Sequence, residues 1–153
     1  MRRLFWTGFW VFLVDQASKY LVVHVLNLRM LGEIDVLPPF LNLRMAWNTG
    51  INFGILDVSR WLLIALAVVI SGWVIYWVRS DGAQRPITQI AGGFLVGGAI
   101  GNVADRLIYG AVADFLNMSC CGIENPYAFN VADIAIFIGA VGLILFTGEK
   151  KTP

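Results

Sequence analysis

From Trp61 to Val78 the chain carries no charged residue. A helix needs about 18 or more apolar residues to cross roughly 30 Å of hydrocarbon, and this run supplies them. Three other stretches approach it. Leu4 to Val25 is interrupted by Asp15, Gln16, Lys19 and His24. Ile87 to Ile108 is uncharged until Asp105 and Arg106, and Phe129 to Phe146 carries only Asp133. Irregular backbone cannot face lipid, so all four are expected to be helices. Composition points the same way. Of 153 residues, 58% are hydrophobic and 14% charged, where soluble domains carry about 25% charged residues. Mean hydropathy is +0.73. A soluble monomer of this size has too little interior to hide that much apolar surface. A water-soluble enzyme and a disordered tail are thereby excluded. A net charge of +1 leaves no basic field to hold nucleic acid.

The expectation is a single domain over residues 1–153. It is an all-α membrane protein: a four-transmembrane-helix bundle spanning about 4–25, 61–78, 87–108 and 129–146. Short-loop basic residues orient it. Arg2, Arg3, Arg79, Arg85, Lys150 and Lys151 fall on one side, and only Arg29, Arg44 and Arg60 on the other. Both termini are then cytoplasmic, and segments 27–60 and 109–128 face outward. The first span is expected to be retained, since Asp15, Gln16 and Lys19 stand where a signal-peptide cleavage site would need small residues.

Segment 27–60 is long for a simple connection. Within it Leu41, Leu43, Met45 and Trp47 alternate with Asn42, Arg44, Ala46 and Asn48, the period of two that marks a strand. Pro38-Pro39 precedes the run and Asn48-Thr49-Gly50 closes it, as turn residues do. A small β-structured platform on the outer (periplasmic) face is expected, with an ordinary loop as the alternative.

Ionisable groups inside spans are costly and usually functional. Here they gather at one depth. Asn102, Asp105 and Arg106 lie near the outer end of the third span, Asp114 a few residues beyond it, and Asn130 and Asp133 at the outer start of the fourth. The tetrapeptide Asn-Val-Ala-Asp occurs at both 102–105 and 130–133, and its i,i+3 spacing puts Asn and Asp on one helix face. At 130–133 it also reads as a helix start, with Asn130 as N-cap and Asp133 in the first turn. At 102–105 the plain alternative is an interhelical polar contact, with Asp105 neutralised by Arg106. Gly93, Gly97 and Gly101, four apart, suggest a close-packing helix face.

Most chemistries have little to draw on. His24 is the single histidine and reads as a hydrogen-bonded packing residue, so a Ser–His–Asp arrangement is not expected. Metal-ligand spacings are absent. Cys120 and Cys121 are adjacent, which strains a mutual bridge, and read as loop thiols. What remains is paired carboxylates: two aspartates sharing one proton act as base and acid on a single water. Spacing alone leaves open which two of Asp105, Asp114 and Asp133 form the pair. Asp105 has Arg106 beside it, whereas Asp114 is flanked by Val112, Ala113, Phe115 and Leu116, an apolar setting that raises a carboxyl pKa. That favours Asp114 with Asp133. Asn48, Asn102, Asn130 and Arg106 are suitable donors. The rival readings are a small transporter or channel subunit, with Asp15, Lys19 and Asp133 lining an ion path, and a noncatalytic membrane assembly factor.

At these residues the chain resembles the bacterial lipoprotein signal peptidases (signal peptidase II) over nearly its whole length. Four blocks carry the resemblance in order: Asp15-Gln16-Ala17-Ser18-Lys19; Asn48-Thr49-Gly50 through Phe53-Gly54; Gly97 to Asn102 through Asp105-Arg106, then Gly110 and Val112-Ala113-Asp114-Phe115; and Phe129-Asn130-Val131-Ala132-Asp133. Ile51-Asn52 and Ile134 depart from the family's usual small residues and Ser. The resemblance implies an aspartic endopeptidase of the inner membrane, without a cofactor or metal. Such an enzyme removes signal peptides from diacylglyceryl-modified prolipoproteins, and globomycin-type inhibitors block it. It implies Asp114 and Asp133 as the catalytic pair. Asn48, Gly50, Asn102, Asp105, Arg106 and Asn130 would shape the site and hold substrate, and Asp15 and Lys19 would form an orienting ion pair. The implied partners are the lipid-modified prolipoprotein and membrane lipids.

Overall fold

A computed structural model describes residues 1–50, 59–80, 85–120 and 125–146. Ile51, Asn52, Phe53, Gly54, Cys121, Lys150 and Lys151, named above, lie outside them. Helix α1 spans Arg2–Tyr20 and continues as one wider π turn, Leu21–Val25. A short helix α2 (Leu28–Leu31) leads into strands β1 (Glu33–Leu37) and β2 (Leu41–Asn48). Helices α3 (Arg60–Ser80) and α4 (Pro86–Ile108) follow, then β3 (Val112–Asn117) and α5 (Val131–Phe146). The protein is mostly helical with one small antiparallel sheet, ordered β1-β2-β3.

Helices α3 and α4 are each long and apolar enough to cross a membrane. The apolar helix α5 is shorter, at 16 residues, and α1 carries Asp15 and Lys19 within its length. Pro86 stands at the first turn of α4, where its missing N–H costs nothing.

Helix α4 is the one that α1, α3 and α5 all pack against, and its glycines are the reason. A Cβ at Gly97 would sit 2.6 Å from the Gly8 carbonyl oxygen of α1, and one at Gly98 would sit 2.5 Å from the Ala132 carbonyl oxygen of α5. Backbones approach closely only where side chains are absent. The expected face of Gly93, Gly97 and Gly101 is turned toward α1, where Gly93 meets Leu4 and Thr7 and Gly101 meets the Asp15 carboxylate. The apolar core at one end joins Leu4, Val74, Val78, Ala91, Leu95, Val96 and Leu143. A second core, of Val22, Leu28, Leu43 and Phe115, lies between the π turn, α2 and the sheet.

The period-two segment is strand β2, at the centre of the sheet. The third strand comes from the other outward segment. In β3 nearly every residue is buried, so it shows no alternation to read from sequence. Register pairs Asn48 with Val112 and Ala46 with Asp114. Asn48 and Asp114 therefore lie diagonally on one face, within reach of each other.

Candidate active site

Four elements deliver the polar residues, with Asn48 at the end of β2. The last turns of α4 carry Asn102, Asp105 and Arg106, β3 carries Asp114, and the head of α5 carries Asn130 and Asp133. Asp114 is 1% exposed. Its Oδ1 accepts from Asn130 Nδ2 at 2.6 Å and its Oδ2 from Asn48 Nδ2 at 3.1 Å. The Asn48 Oδ1 in turn accepts the Gly50 N–H at 3.2 Å, which closes the turn after β2 around that amide. Burial first, and then the charge of Asp133, push the Asp114 carboxyl from 3.8 up to about 7. The hydrogen bonds from Asn48 and Asn130 and the charge of Lys19 oppose that rise.

Asp133 is half-buried, and its two oxygens have different partners. Oδ2 accepts the Asn130 backbone N–H at 3.2 Å, while the Asp133 N–H donates to Asn130 Oδ1 at 2.9 Å. This reciprocal pair is a capping box at the start of α5. Oδ1 faces the other way and accepts from Asn102 Nδ2 at 2.9 Å. The helix-start reading of 130–133 and its reading as part of a polar site are thus both realised, one on each oxygen.

Behind this pair lies a fully buried ionic cluster. Lys19 Nζ is 2.8 Å from Asp15 Oδ2 and 2.8 Å from Asp105 Oδ2. Asp15 Oδ1 accepts the Ala132 N–H at 2.9 Å, and Asp105 Oδ2 accepts the Ala113 N–H at 3.1 Å. The cluster therefore ties α1 to the backbone just before Asp133 and just before Asp114. Neutralisation of Asp105 by Arg106 is corrected: its cation is Lys19. Successive residues on a helix do not face each other. The Arg106 Nη1 instead donates to the Asn102 carbonyl at 3.2 Å, and its buried Nε has no hydrogen-bond partner among the described residues. Gln16, which the sequence marks as a polar interruption of the first span but not as a site residue, bridges Asp15 Oδ2 at 3.1 Å and Asp105 Oδ1 at 3.0 Å through its Nε2. Its place beside Asp15 within an apolar span was the available signal.

Two residues lie apart. His24 is exposed and shares a 3.3 Å hydrogen bond with the Tyr109 hydroxyl. Cys120 is disulfide-bonded, which corrects its reading as a loop thiol. Among the described residues no three His, Cys, Asp or Glu side chains converge as a metal-holding group.

The sequence matches the family described as Signal peptidase (SPase) II over residues 8–148. A lipoprotein signal peptidase of Alteromonas mediterranea is 39% identical, covering 98% of this chain and 84% of the relative. One from Aeromonas hydrophila subsp. hydrophila is 40% identical, covering 97% and 91%. Among solved structures, one described as "Bacterial membrane enzyme structure by the in meso method at 1.9 A resolution" superposes with a TM-score of 0.83 at 28% identity, covering 99% of this chain and 96% of that one. A second, described in the same words at 2.3 Å, gives 0.83 at 26% identity, covering 100% and 94%.

Proposed function

The chain belongs to the signal peptidase II family, enzymes that cleave the signal peptides of lipoproteins, and we propose that it does so as an aspartic endopeptidase with Asp114 and Asp133 as its catalytic pair. One arrangement carries this reading: Asn130 donates to both carboxylates, through its side chain to Asp114 Oδ1 at 2.6 Å and through its backbone N–H to Asp133 Oδ2 at 3.2 Å. Burial and the charge of Asp133 push the Asp114 carboxyl up to about 7, which suits it to hold a proton. A pair that holds one proton between two carboxyls is equipped for acid–base work on water.

In the mechanism, Asp133 is the carboxylate that takes a proton from water as the oxygen attacks the scissile carbonyl. Asp114 donates its proton to the carbonyl oxygen. The tetrahedral intermediate then collapses, the C–N bond breaks, and the leaving amine takes the proton held by Asp133. Asp114 recovers its own from the hydroxyl of the intermediate, so the pair ends with one proton, as it began. Asn102 and Asn130 hold the two carboxyls in place. Arg106 supplies a buried Nε–H that has no partner among the described residues, a donor suited to a substrate carbonyl.

The substrate is a diacylglyceryl-modified prolipoprotein whose acyl chains stay in the bilayer. The four long helices form the membrane bundle, with both termini cytoplasmic and the sheet on the outer face. Phe5, Trp10, Leu66, Val69, Trp73, Phe137 and Ile144 are exposed on those helices, which suits a lipid-facing belt. A disulfide at Cys120, in the segment after β3, suits an oxidising compartment on that side. Because β2 is the central strand and Phe129 is hydrogen-bonded to Phe115 and Leu116 along the outer edge of β3, an extended signal peptide is clamped across the sheet face rather than beside β2.

Purified protein incubated with a lipid-modified prolipoprotein is expected to release the signal peptide. Globomycin should block the release, and a chelator should leave it unchanged. Equal cleavage of the unlipidated precursor would overturn the substrate assignment. Loss of activity on chelation, restored by zinc, would overturn the acid–base mechanism.

A further inference from the structure

Lys19 donates to neither Asp114 nor Asp133, yet its hydrogen bonds decide how both are held. An ammonium group has three hydrogens and no acceptor. Two of them are committed here, to Asp15 Oδ2 at 2.8 Å and to Asn102 Oδ1 at 3.3 Å, while Asp105 Oδ2 lies 2.8 Å away as an ion-pair partner. The bond to Asn102 does something the ion pairs do not. A side-chain amide has an oxygen that only accepts and an NH2 that only donates, so a donor-only neighbour fixes which end faces it. With Lys19 on one side, the Asn102 oxygen turns inward and its Nδ2 turns to Asp133 Oδ1 at 2.9 Å.

The polarity continues. The same Asn102 oxygen accepts from Asn130 Nδ2 at 3.2 Å, and that NH2 also reaches Asp114 Oδ1 at 2.6 Å. The Asn130 oxygen is held by the Asp133 N–H at 2.9 Å. Reversing Asn102 would set an NH2 against the ammonium and an oxygen against Asp133. We infer that Lys19, acting through Asn102, sets the direction of this amide chain so that both catalytic aspartates receive N–H donors, which makes it a positioning residue for hydrolysis. The charge of Lys19 also reaches Asp114, where it opposes burial and Asp133. The inference rests on the catalytic pair proposed above. Its rival is a structural role only, in which Lys19 neutralises Asp15 and Asp105 and binds α1 to α4.

The two separate by steady-state kinetics on a lipid-modified prolipoprotein, with full-length Lys19→Met, Asn102→Ala and the double variant, each scaled to its folded fraction. Outer-shell groups that orient metal-ligating side chains are worth about 10–100-fold, and the same order is expected of an orienting group here. Lys19→Met is expected to lower kcat by about that factor and to change KM by less than about twofold. The double variant should be no slower than Asn102→Ala alone, since residues acting as one unit are not additive. Wild-type kcat in folded Lys19→Met, or fully additive losses in the double, would overturn the inference. If Lys19→Met does not fold, Lys19→Met with Asp15→Asn, which keeps the net charge of the cluster, is compared with Asp15→Asn alone and read in the same way. Asp133→Asn runs alongside. If it is inactive while the Lys19 variants keep full kcat, the positioning role falls and the catalytic pair stands. If it stays active, the pair falls and takes the positioning role with it.

Discussion

Asp114 owes its proton to a competition between burial beside Asp133 and the donors Asn48 and Asn130. Since the proposed mechanism needs that proton, kcat/KM is expected to fall as pH rises past about 7. Asn48→Ala removes a donor that favours the charged form, so it should move that limb to higher pH; a pH–rate profile of the two proteins checks it. Stability follows the same group. The folded protein binds this proton more tightly than the unfolded chain between 3.8 and about 7, so Asp114 stabilises the fold at low pH and that contribution is lost as pH rises through the window. Thermal melts of wild type across that range should show the loss, and Asp114→Asn should not. Much at this scale was legible in the sequence. The apolar flanks of Asp114 signalled its raised pKa, and the repeated Asn-Val-Ala-Asp marked the two helix ends that meet. Adjacency misled at Asp105, because neighbours in sequence diverge around a helix while Lys19, far away in the chain, points straight at it.

At the scale of elements, long apolar runs located the helices because length and hydrophobicity set them almost without help from partners. The alternating residues 41–48 located β2 for the same reason. Strand β3 was hidden because burial on both faces erases the period of two. The packing of α4 carries a sharp consequence. A Cβ at Gly97 would lie 2.6 Å from the Gly8 carbonyl oxygen and 2.9 Å from the Gly8 Cα, backbone atoms that cannot swing away. Gly97→Ala is therefore expected to part α1 from α4 and to destabilise by about 1–3 kcal/mol, the usual cost of overpacking. Gly72, within α3, has nothing within 4 Å of its Cβ position. Gly72→Ala should stabilise by about 0.5–1 kcal/mol through helix propensity. Melting temperatures of the two variants in one detergent test the contrast.

For the whole molecule, the arrangement gathers charge at the two ends among the described residues. Asp15, Lys19, Asp105, Asp114 and Asp133 gather around one end of the bundle, and Arg2, Arg3, Arg79 and Arg85 mark the other. With the sheet outside, Glu33→Cys in a background lacking Cys120 and Cys121 should react with a membrane-impermeant thiol reagent in intact cells. Arg85→Cys should react only after permeabilisation. The reverse pattern would invert the topology and put the site on the cytoplasmic face. The most direct measurement is the mass of a lipid-modified prolipoprotein after incubation with equal folded amounts of wild type and Asp114→Asn. Wild type should release the signal peptide, and Asp114→Asn should leave the precursor intact, with a rate at least ~100-fold lower, the lower end for loss of an acid–base group. Cleavage by Asp114→Asn at the wild-type rate would contradict a shared-proton pair.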